Sequence, residues 1–363
     1  MTKKRIAFLV YNLELGGAQR VVSTLANYFS NIYDVTIITI VKSNVFYSLN
    51  DAVKILHCRE NEIQKSNIVQ SLKTNYKLYK SIKQILRDND IDILISFMTT
   101  ANVLGALAAN SLKIPSLISE RTNPYIEGPN SIWKKLVDYT YPKADYTIVQ
   151  SQLVKDYYKE IIDDNKIVVL PNPLSVELTK TKNPSIEKEN IILNVGRLVS
   201  SKDQTLLIKA FSNITNESWK LIFVGDGPML NEYKALVSDL NQQNNIVFVG
   251  KIDDMSSYYN SSKIFAFTSK YEGFPNALIE AMYFELACIS TDCPSGPSEL
   301  ISHGENGYLI KIGDQKNLEL HLSELMNNES LSKKIGKKGF ETAAQYQANE
   351  VADMWKNLIE KLI

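Results

Sequence analysis

The residues best suited to chemistry lie in Ser269–Leu300, SKYEGFPNALIEAMYFELACISTDCPSGPSEL. The pattern sets Glu272 in a loop and Glu280 on a helix, with Gly273-Phe274-Pro275-Asn276 at the helix start. A turn leading into a helix presents backbone N–H groups with no intrahelical partner, a ready seat for phosphate. Two carboxylates beside such a seat suit a ligand that is part sugar and part phosphate, a nucleotide sugar, and therefore a sugar transfer. On one helix the two acids would stand about 12 Å apart along the axis. That exceeds the roughly 5–9.5 Å of a glycosidase pair. Because Glu272 precedes the expected helix, spacing alone does not exclude hydrolysis. Separate tasks fit better, with Glu280 accepting bonds from vicinal ribose hydroxyls and Glu272 holding the sugar near its phosphate. The plain alternatives are a solvated helix acid for Glu280 and, for Glu272, a helix N-terminal charge worth under about 1 kcal/mol.

Two cations stand upstream, in Gly196-Arg197-Leu198-Val199-Ser200-Ser201-Lys202. Arg197 and Lys202 can clamp a diphosphate through charge-assisted bonds of about 1.5–3 kcal/mol each. They would act most strongly as the leaving group gains charge. The alternative is a pair of exposed loop cations. Near the N-terminus, Gly16-Gly17 follows an apolar run and precedes a helical stretch. A glycine pair there lets backbone approach a phosphate, or is simply a strand-to-helix turn. It is not a dinucleotide fingerprint, since the third glycine is missing and Lys42 sits where an acid is expected. Gly225-Asp226-Gly227 fails likewise, with Leu230 at the third-glycine position.

These residues need a scaffold. Short apolar runs at Ile6–Val10, Val35–Ile40, Ile93–Phe97, Ser116–Ser119, Tyr146–Val149 and Ile167–Leu170 alternate with helical stretches such as Ala18–Phe29, Ile68–Leu86 and Thr100–Ala109. This predicts a parallel sheet with helices on both faces. Pro171-Asn172-Pro173 stops the pattern, and polar residues 174–189 read as a linker. Alternation restarts at Ile191–Gly196, with further strands at Leu221–Val224, Ile246–Val249, Ile264–Thr268, Ala287–Thr291 and Tyr308–Ile310. The expectation is two doubly wound domains, 1–172 and 173–345, facing each other across a cleft. A helix within 346–363 carries Trp355, Leu358, Ile359 and Leu362 on one stripe and is expected to return to the first domain.

The pattern Glu272-Gly273-Phe274-Pro275-Asn276…Glu280, with Arg197…Lys202 and Gly16-Gly17, resembles the retaining family-4 glycosyltransferases of the GT-B fold, over essentially the whole chain. Thr291-Asp292-Cys293-Pro294-Ser295-Gly296-Pro297 is similar to a segment of bacterial transferases that extend lipid-linked or surface polysaccharides. The resemblance implies α/β architecture of two Rossmann-like domains and a UDP-sugar donor. Arg197 and Lys202 would bind the diphosphate, and Glu272 the sugar. Backbone at Phe274, Asn276 and Ala277 would hold sugar and phosphate oxygens. Glu280 would take the ribose and Lys251-Ile252 the base, while Gly16 and Gly17 would complete the phosphate site and the acceptor floor. No metal or other cofactor is implied. One departure stands out. Many relatives place a histidine near the donor sugar, whereas this chain reads Ser119-Glu120-Arg121-Thr122-Asn123. Arg121 then serves the acceptor or the donor phosphate, or a structural ion pair.

Composition narrows the partners. The chain has 363 residues, 40 Lys+Arg and 40 Asp+Glu, which suits no nucleic-acid neutraliser. Residues 1–180 carry 22 basic against 17 acidic side chains, +5, leaving −5 for the rest. Lys65, Lys73, Lys77, Lys80, Lys83 and Arg87 occur with no acid between them. Lys73, Lys77, Lys80 and Arg87 share one helical stripe, with Ile68, Leu72, Tyr76, Tyr79 and Leu86 beside it. Such a helix can rest on anionic lipid, guide a lipid-linked diphosphate acceptor, or be an ordinary solvated face. Trp133, Lys134 and Lys135 would add an interfacial anchor. Three cysteines (Cys58, Cys288 and Cys293) argue against a disulfide framework, and buried thiols are expected. No apolar run approaches the ~20 residues of a span, so the expected location is cytoplasmic, peripheral to the inner face of the membrane. An epimerase, a phosphorylase or a non-catalytic nucleotide-sugar-binding protein are the other readings. The donor is undetermined, with a lean to UDP-N-acetylgalactosamine or UDP-galactose.

Overall fold

The computed structural model describes residues 3–62, 67–126, 128–214, 218–252, 254–294 and 296–363. Lys65, Ser295 and the side chain of Ile68 lie outside the described residues. The chain divides into two units, Met1–Pro173 with Ala348–Ile363, and Leu174–Gln347.

The first unit holds a seven-stranded sheet of Arg5–Val10 (β1), Asp34–Thr39 (β2), Lys54–His57 (β3), Ile93–Phe97 (β4), Ser116–Ser119 (β5), Tyr146–Val149 (β6) and Ile167–Val169 (β7). The order is β3-β2-β1-β4-β5-β6-β7 and every pair is parallel. In β1, β2 and β4 nearly every residue is buried, because helices cover both faces of a parallel sheet. That is why these strands read as continuous apolar runs. The chain changes direction across the sheet between β1 and β4, and open α/β sheets bind ligands beyond the strand carboxyl ends at such a switch point. Helix Ala348–Ile359 is part of this unit. Val351, Ala352, Trp355, Leu358 and Ile359 join Phe8, Phe29 and Phe97 in one core, and the Trp355 ring stacks 5.7 Å from that of Phe97.

The second unit holds six strands: Glu189–Val195 (β8), Lys220–Val224 (β9), Ile246–Gly250 (β10), Ser262–Phe267 (β11), Ala287–Thr291 (β12) and Tyr308–Ile310 (β13). They are again all parallel, in the order β10-β9-β8-β11-β12-β13, with the switch point between β8 and β11. The segment read as a polar linker is tied down. Leu174 is 3% exposed and Val176–Lys180 is a short helix. Lys182 pairs with Glu285 at 2.7 Å. Lys188 Nζ donates to the carbonyls of Tyr259, Ser262 and Phe284 at 3.4, 2.9 and 3.0 Å. Its polarity therefore serves these bonds as well as solvation.

Gly225 and Gly227 owe their identity to packing. A Cβ at Gly225 would lie 1.9 Å from the Gly196 carbonyl oxygen, and one at Gly227 would lie 2.3 Å from that of Leu198. The turn after β9 thus presses on the loop that carries Arg197, and Leu198 N–H donates to Asp226 O at 3.0 Å.

Candidate active site

In the second unit, the loop after β8 and the loop after β11 meet at the switch point. Lys202 closes a 3₁₀ turn, Ser200–Lys202. Its carbonyl accepts from Thr268 Oγ1 at 3.0 Å, and Lys270 N–H donates to Ser201 O at 2.8 Å. These bonds bring the two loops together so that Lys202 Nζ donates to Glu272 Oε1. The pair is largely shielded, with the side chains 23% and 10% exposed. Arg197 is exposed, and its side chain has no hydrogen-bond or ion-pair partner among the described residues. Its carbonyl is held by Gln204 Nε2 at 3.0 Å, and Gln204 is in turn held by the Tyr233 hydroxyl at 3.1 Å. The backbone is fixed and the guanidinium is available.

Helix Asn276–Tyr283 starts beside Glu272, and no side chain caps it. Pro275, at φ −84 and ψ 67, has the angles of an inverse γ-turn. Accordingly Asn276 N–H donates to Phe274 O at 2.9 Å. Pro275 O accepts from Leu278 at 3.0 Å and Ile279 at 3.3 Å. The Asn276 N–H, expected to meet the donor, is thus already engaged in the turn. Gly296, at φ +126, lies so close that a Cβ would sit 2.4 Å from Pro275 Cδ. This gives the resemblance segment at 291–297 a structural task, bracing the turn.

Glu280 is not a solvated helix acid. It is 8% exposed and Oε2 accepts from the Tyr259 hydroxyl at 3.0 Å. Lys251 is exposed after β10, while Ile252 is partly buried against the core cluster that holds Val224, Tyr259 and Leu278. Cys293 is 2% exposed. Burial, then the Glu272 carboxylate, push its thiol up to about 12, with Lys202 opposing. Cys288 is buried too, whereas Cys58, expected buried, is half-buried. Among the described residues no group of His, Cys, Asp and Glu is arranged to hold a metal ion.

The first unit assembles a different set. Gly16-Gly17 leads into helix Gly17–Phe29, and Met98 leads into helix Thr99–Leu112; neither helix start has a side-chain cap. Gly17, Thr99, Thr100 and Arg121 line one cavity of about 490 Å³. Glu120, which the sequence reading passed over, is 1% exposed. Its carboxylate accepts from the Tyr141 hydroxyl at 2.8 Å, Thr99 Oγ1 at 3.1 Å and Thr122 Oγ1 at 2.8 Å. Arg121 makes no ion pair within the described residues. Its Nη1 donates to Asn172 Oδ1 at 2.6 Å, and its guanidinium lies 5.2 Å from the Phe97 ring and 5.7 Å from that of Trp355. Burial pulls Arg121 down to about 9, with Glu120 opposing, and it stays charged at neutral pH.

Helix Ile68–Asp88 begins with Asn67 accepting from Gln70 N–H at 2.9 Å. Lys73, Lys77, Lys80 and Arg87 are exposed, as are Leu72 and Tyr76. Leu86 is not part of that face; with Leu78 and Ile82 it is buried against the sheet. The anchor expected at 133–135 is also altered. Trp133 packs against the cluster of Val137 and Tyr141, and Lys134 pairs with Asp138 at 3.3 Å. No described helix is long and apolar enough to cross a membrane.

Comparison with known proteins accounts for both units. Residues 15–178 match the family model "Glycosyltransferase Family 4", and residues 175–342 match "Glycosyl transferases group 1". A Campylobacter jejuni undecaprenol-diphosphate-linked glycan alpha-1,4-N-acetyl-D-galactosaminyltransferase is 28% identical over 361 residues, 99% of each chain. The amylovoran biosynthesis glycosyltransferase AmsD of Erwinia amylovora is 27% identical, covering 95% of this chain and 96% of its own. The fold is similar to a lipopolysaccharide outer core galactosyltransferase, WaaB (TM-score 0.78, 22% identity, 99% and 100% covered). It is similar also to Anabaena HepE in complex with UDP (TM-score 0.78, 16% identity, 99% and 100% covered). With two doubly wound parallel-sheet units and a glycosyltransferase family model on each, the chain belongs to the family-4 glycosyltransferases of the GT-B fold.

Proposed function

We propose that the chain is a retaining transferase that moves a hexose or N-acetylhexosamine from a UDP-sugar to a lipid-linked or surface-polysaccharide glycan. The observation that carries this reading is the shielded Lys202–Glu272 pair beside the uncapped start of helix Asn276–Tyr283. An incoming diphosphate takes Lys202 from Glu272 and adds Arg197, and the released Glu272 carboxylate turns to the sugar hydroxyls. Fixed cations then meet charge where it develops on the leaving group, the arrangement that stabilises a transition state most. Glu280, with one oxygen held by Tyr259, accepts from the ribose, and Ile252 lies under the base. The acceptor oxygen bonds to the anomeric carbon as the sugar–phosphate bond breaks, and the acceptor's proton passes to the departing phosphate oxygen. That same-face path needs no side-chain base and no metal.

The printed activities of the relatives, transfer of N-acetylgalactosamine to an undecaprenol-diphosphate glycan and amylovoran biosynthesis, support a glycan acceptor. The first leans the donor toward UDP-N-acetylgalactosamine, with UDP-galactose the other donor that the resemblance at 291–297 suggests. The exposed Lys73, Lys77 and Lys80 suit the diphosphate of a lipid-linked acceptor and the anionic membrane that holds it. The test is a donor panel. The chain is incubated with each nucleotide sugar and an undecaprenol-diphosphate-linked saccharide, with a chelator present, and nucleotide diphosphate release is measured. Release with one UDP-hexose or UDP-N-acetylhexosamine is expected. Release from none, or conversion of donor without acceptor, would overturn the assignment.

A further inference from the structure

A second cavity lies in the second unit, at the end of its sheet away from the donor site. It measures about 480 Å³, within the range of small-molecule sites. Segment 182–188, the start of β11 at Lys263, the residues that follow helix Asn276–Tyr283 and one face of helix Glu329–Ala343 form its wall. Strands β8 and β11 are parallel and pair Glu189 with Ser262 at this end. Arg197, Lys202 and Glu272 follow the carboxyl ends of the same two strands. The six residues of β11, at about 3.3 Å each, place the cavity roughly 20 Å from them. The donor chemistry leaves it unused.

The wall carries five lysines and three glutamates. Two of the lysines are neutralised, Lys182 by Glu285 at 2.7 Å and Lys333 by Glu329 at 2.8 Å. Lys188 spends its donors on three backbone carbonyls, so it gives the cavity charge but no free bond. Lys263 donates to the Asn190 amide oxygen at 2.8 Å, and Lys337 has no hydrogen-bond or ion-pair partner among the described residues. Against these three cations stands one carboxylate outside an ion pair, Glu187, so the cavity is positive. Ser332 is 7% exposed yet lines the cavity, and its hydroxyl has no hydrogen-bond partner among the described residues. Its helix is pressed into place. A Cβ at Gly336 would lie 2.3 Å from the Glu285 carbonyl oxygen, so the turns that carry Ser332 and Lys337 pack directly on the chain after helix Asn276–Tyr283. Pro184 and Ile186 add carbon to the wall, and Ile186 is 42% exposed. Cations in excess with an unused hydroxyl suit an oxyanion. The volume and the apolar wall exceed what a bare ion needs.

We propose that this cavity binds a small phosphate ester, its phosphoryl group held by Lys263, Lys337 and the Ser332 hydroxyl, and its carbon part laid against Pro184 and Ile186. The site is separate from the donor set of Arg197, Lys202 and the start of helix Asn276–Tyr283, and it does not rest on the transferase reading.

The test uses the full chain carrying Arg197→Ala and Lys202→Ala, which disables the donor set. Ribose 5-phosphate, inorganic phosphate and ribose are titrated separately by calorimetry. Ribose 5-phosphate is expected to bind, inorganic phosphate more weakly, and ribose not at all. Lys263→Gln with Lys337→Gln should weaken ribose 5-phosphate about tenfold or more, a shift of about 1.4 kcal/mol. Lys334 and Lys338 stand beside the cavity lysines on the same helix but do not line the cavity, so Lys334→Gln with Lys338→Gln should leave binding unchanged. That control separates a built site from general attraction to a basic helix. If the cavity double variant does not fold, Lys337→Gln alone, at an exposed helix position, decides, with a weakening of about threefold expected. The proposal is overturned if ribose 5-phosphate does not bind, if ribose binds as well, if the cavity variants leave binding unmoved, or if the control pair weakens it as much. Inorganic phosphate binding as tightly as the ester would reduce the ligand to a bare ion and overturn the ester assignment.

Discussion

The Tyr259 hydroxyl donates to Glu280 Oε2 at 3.0 Å, joining helix Ser256–Ser261 to helix Asn276–Tyr283. The tyrosine is fully buried and the glutamate 8% exposed, so the bond fixes a carboxylate that few waters reach. In the proposed mechanism that carboxylate takes the ribose, a contact made equally in the ground and transition states. Tyr259→Phe should therefore raise KM for the donor about three- to tenfold and leave kcat nearly unchanged. Loss of one hydrogen bond should cost about 1 kcal/mol of stability. Steady-state kinetics and urea unfolding check both, and a fall in kcat with unchanged KM would contradict the ribose role.

Lys202 and Glu272 predict the opposite kinetic pattern. If Lys202 meets charge that develops only on the leaving diphosphate, Lys202→Ala should lower kcat by about 100-fold or more. Glu272→Ala should fall into the same range, because it loses the sugar contact and leaves Lys202 without its partner. The two losses should be less than additive, since the residues touch. Turnover near wild type in both folded variants would remove the site from the chemistry.

What the sequence conveyed about the fold follows from burial. β1, β2 and β4 are enclosed on both faces, so their residues carry an uninterrupted apolar signal that outweighs any local ambiguity. Strand β3, Lys54–His57, is a sheet edge with no fully buried residue; four residues without that signal do not read as a strand. The site was legible where single loops carry it, as at Arg197…Lys202 and Glu272…Glu280. It was illegible where partners come from distant elements. Tyr259 reaches Glu280 from a helix 21 positions away, and Tyr141 reaches Glu120 across the same separation. Neither pairing has a spacing rule. Gly225-Asp226-Gly227 is rightly set aside as a dinucleotide fingerprint for want of a third glycine, but its packing role against Gly196 and Leu198 has no signature in sequence, because glycines required by backbone packing look the same there as glycines required by a phosphate.

Lys188 extends the argument from the site to its supports. Its ammonium donates to Tyr259, Ser262 and Phe284 carbonyls, at the ends of the two helices that carry Tyr259 and Glu280. Lys188→Met should cost about 3 kcal/mol, as these acceptors lose a charged donor. Burial pulls Lys188 down to about 8, with Glu285 opposing, Lys182 adding and Cys288 opposing. The unfolded chain keeps the ordinary lysine value of 10.5. Between these values the unfolded chain holds a proton that the folded chain has lost, so this group's contribution to stability rises with pH across the window. It is fully present above the unfolded value and lost as pH falls through the folded one. The stability gap between wild type and Lys188→Met should thus widen from pH 7 to pH 10. Urea unfolding at both values measures it, and a gap that narrows would show that the lysine is not held low.

The exposed face of helix Ile68–Asp88 carries the last prediction. Lys73, Lys77, Lys80 and Arg87 share it with Val69, Leu72 and Tyr76, which are 72%, 59% and 57% exposed. Lys80 Nζ lies 4.9 Å from the Tyr76 ring centroid. The opposite face, Leu78, Ile82 and Leu86, already fills the core, so the fold has no use for the outer apolar residues. A solvated surface helix would place polar residues there; an interfacial helix needs both the cations and the apolar side chains. Each cation near an anionic surface contributes about 1 kcal/mol. Replacing Lys73, Lys77 and Lys80 with Gln should therefore lower partition onto phosphatidylglycerol vesicles by roughly 100-fold. Raised salt should weaken wild-type binding in the same direction, because screening shortens the reach of these charges. Vesicle sedimentation reads both, with phosphatidylcholine vesicles as the neutral comparison. Equal recovery on the two lipids, unmoved by the triple replacement, would leave the stripe as a solvated face and confine its role to the soluble chain.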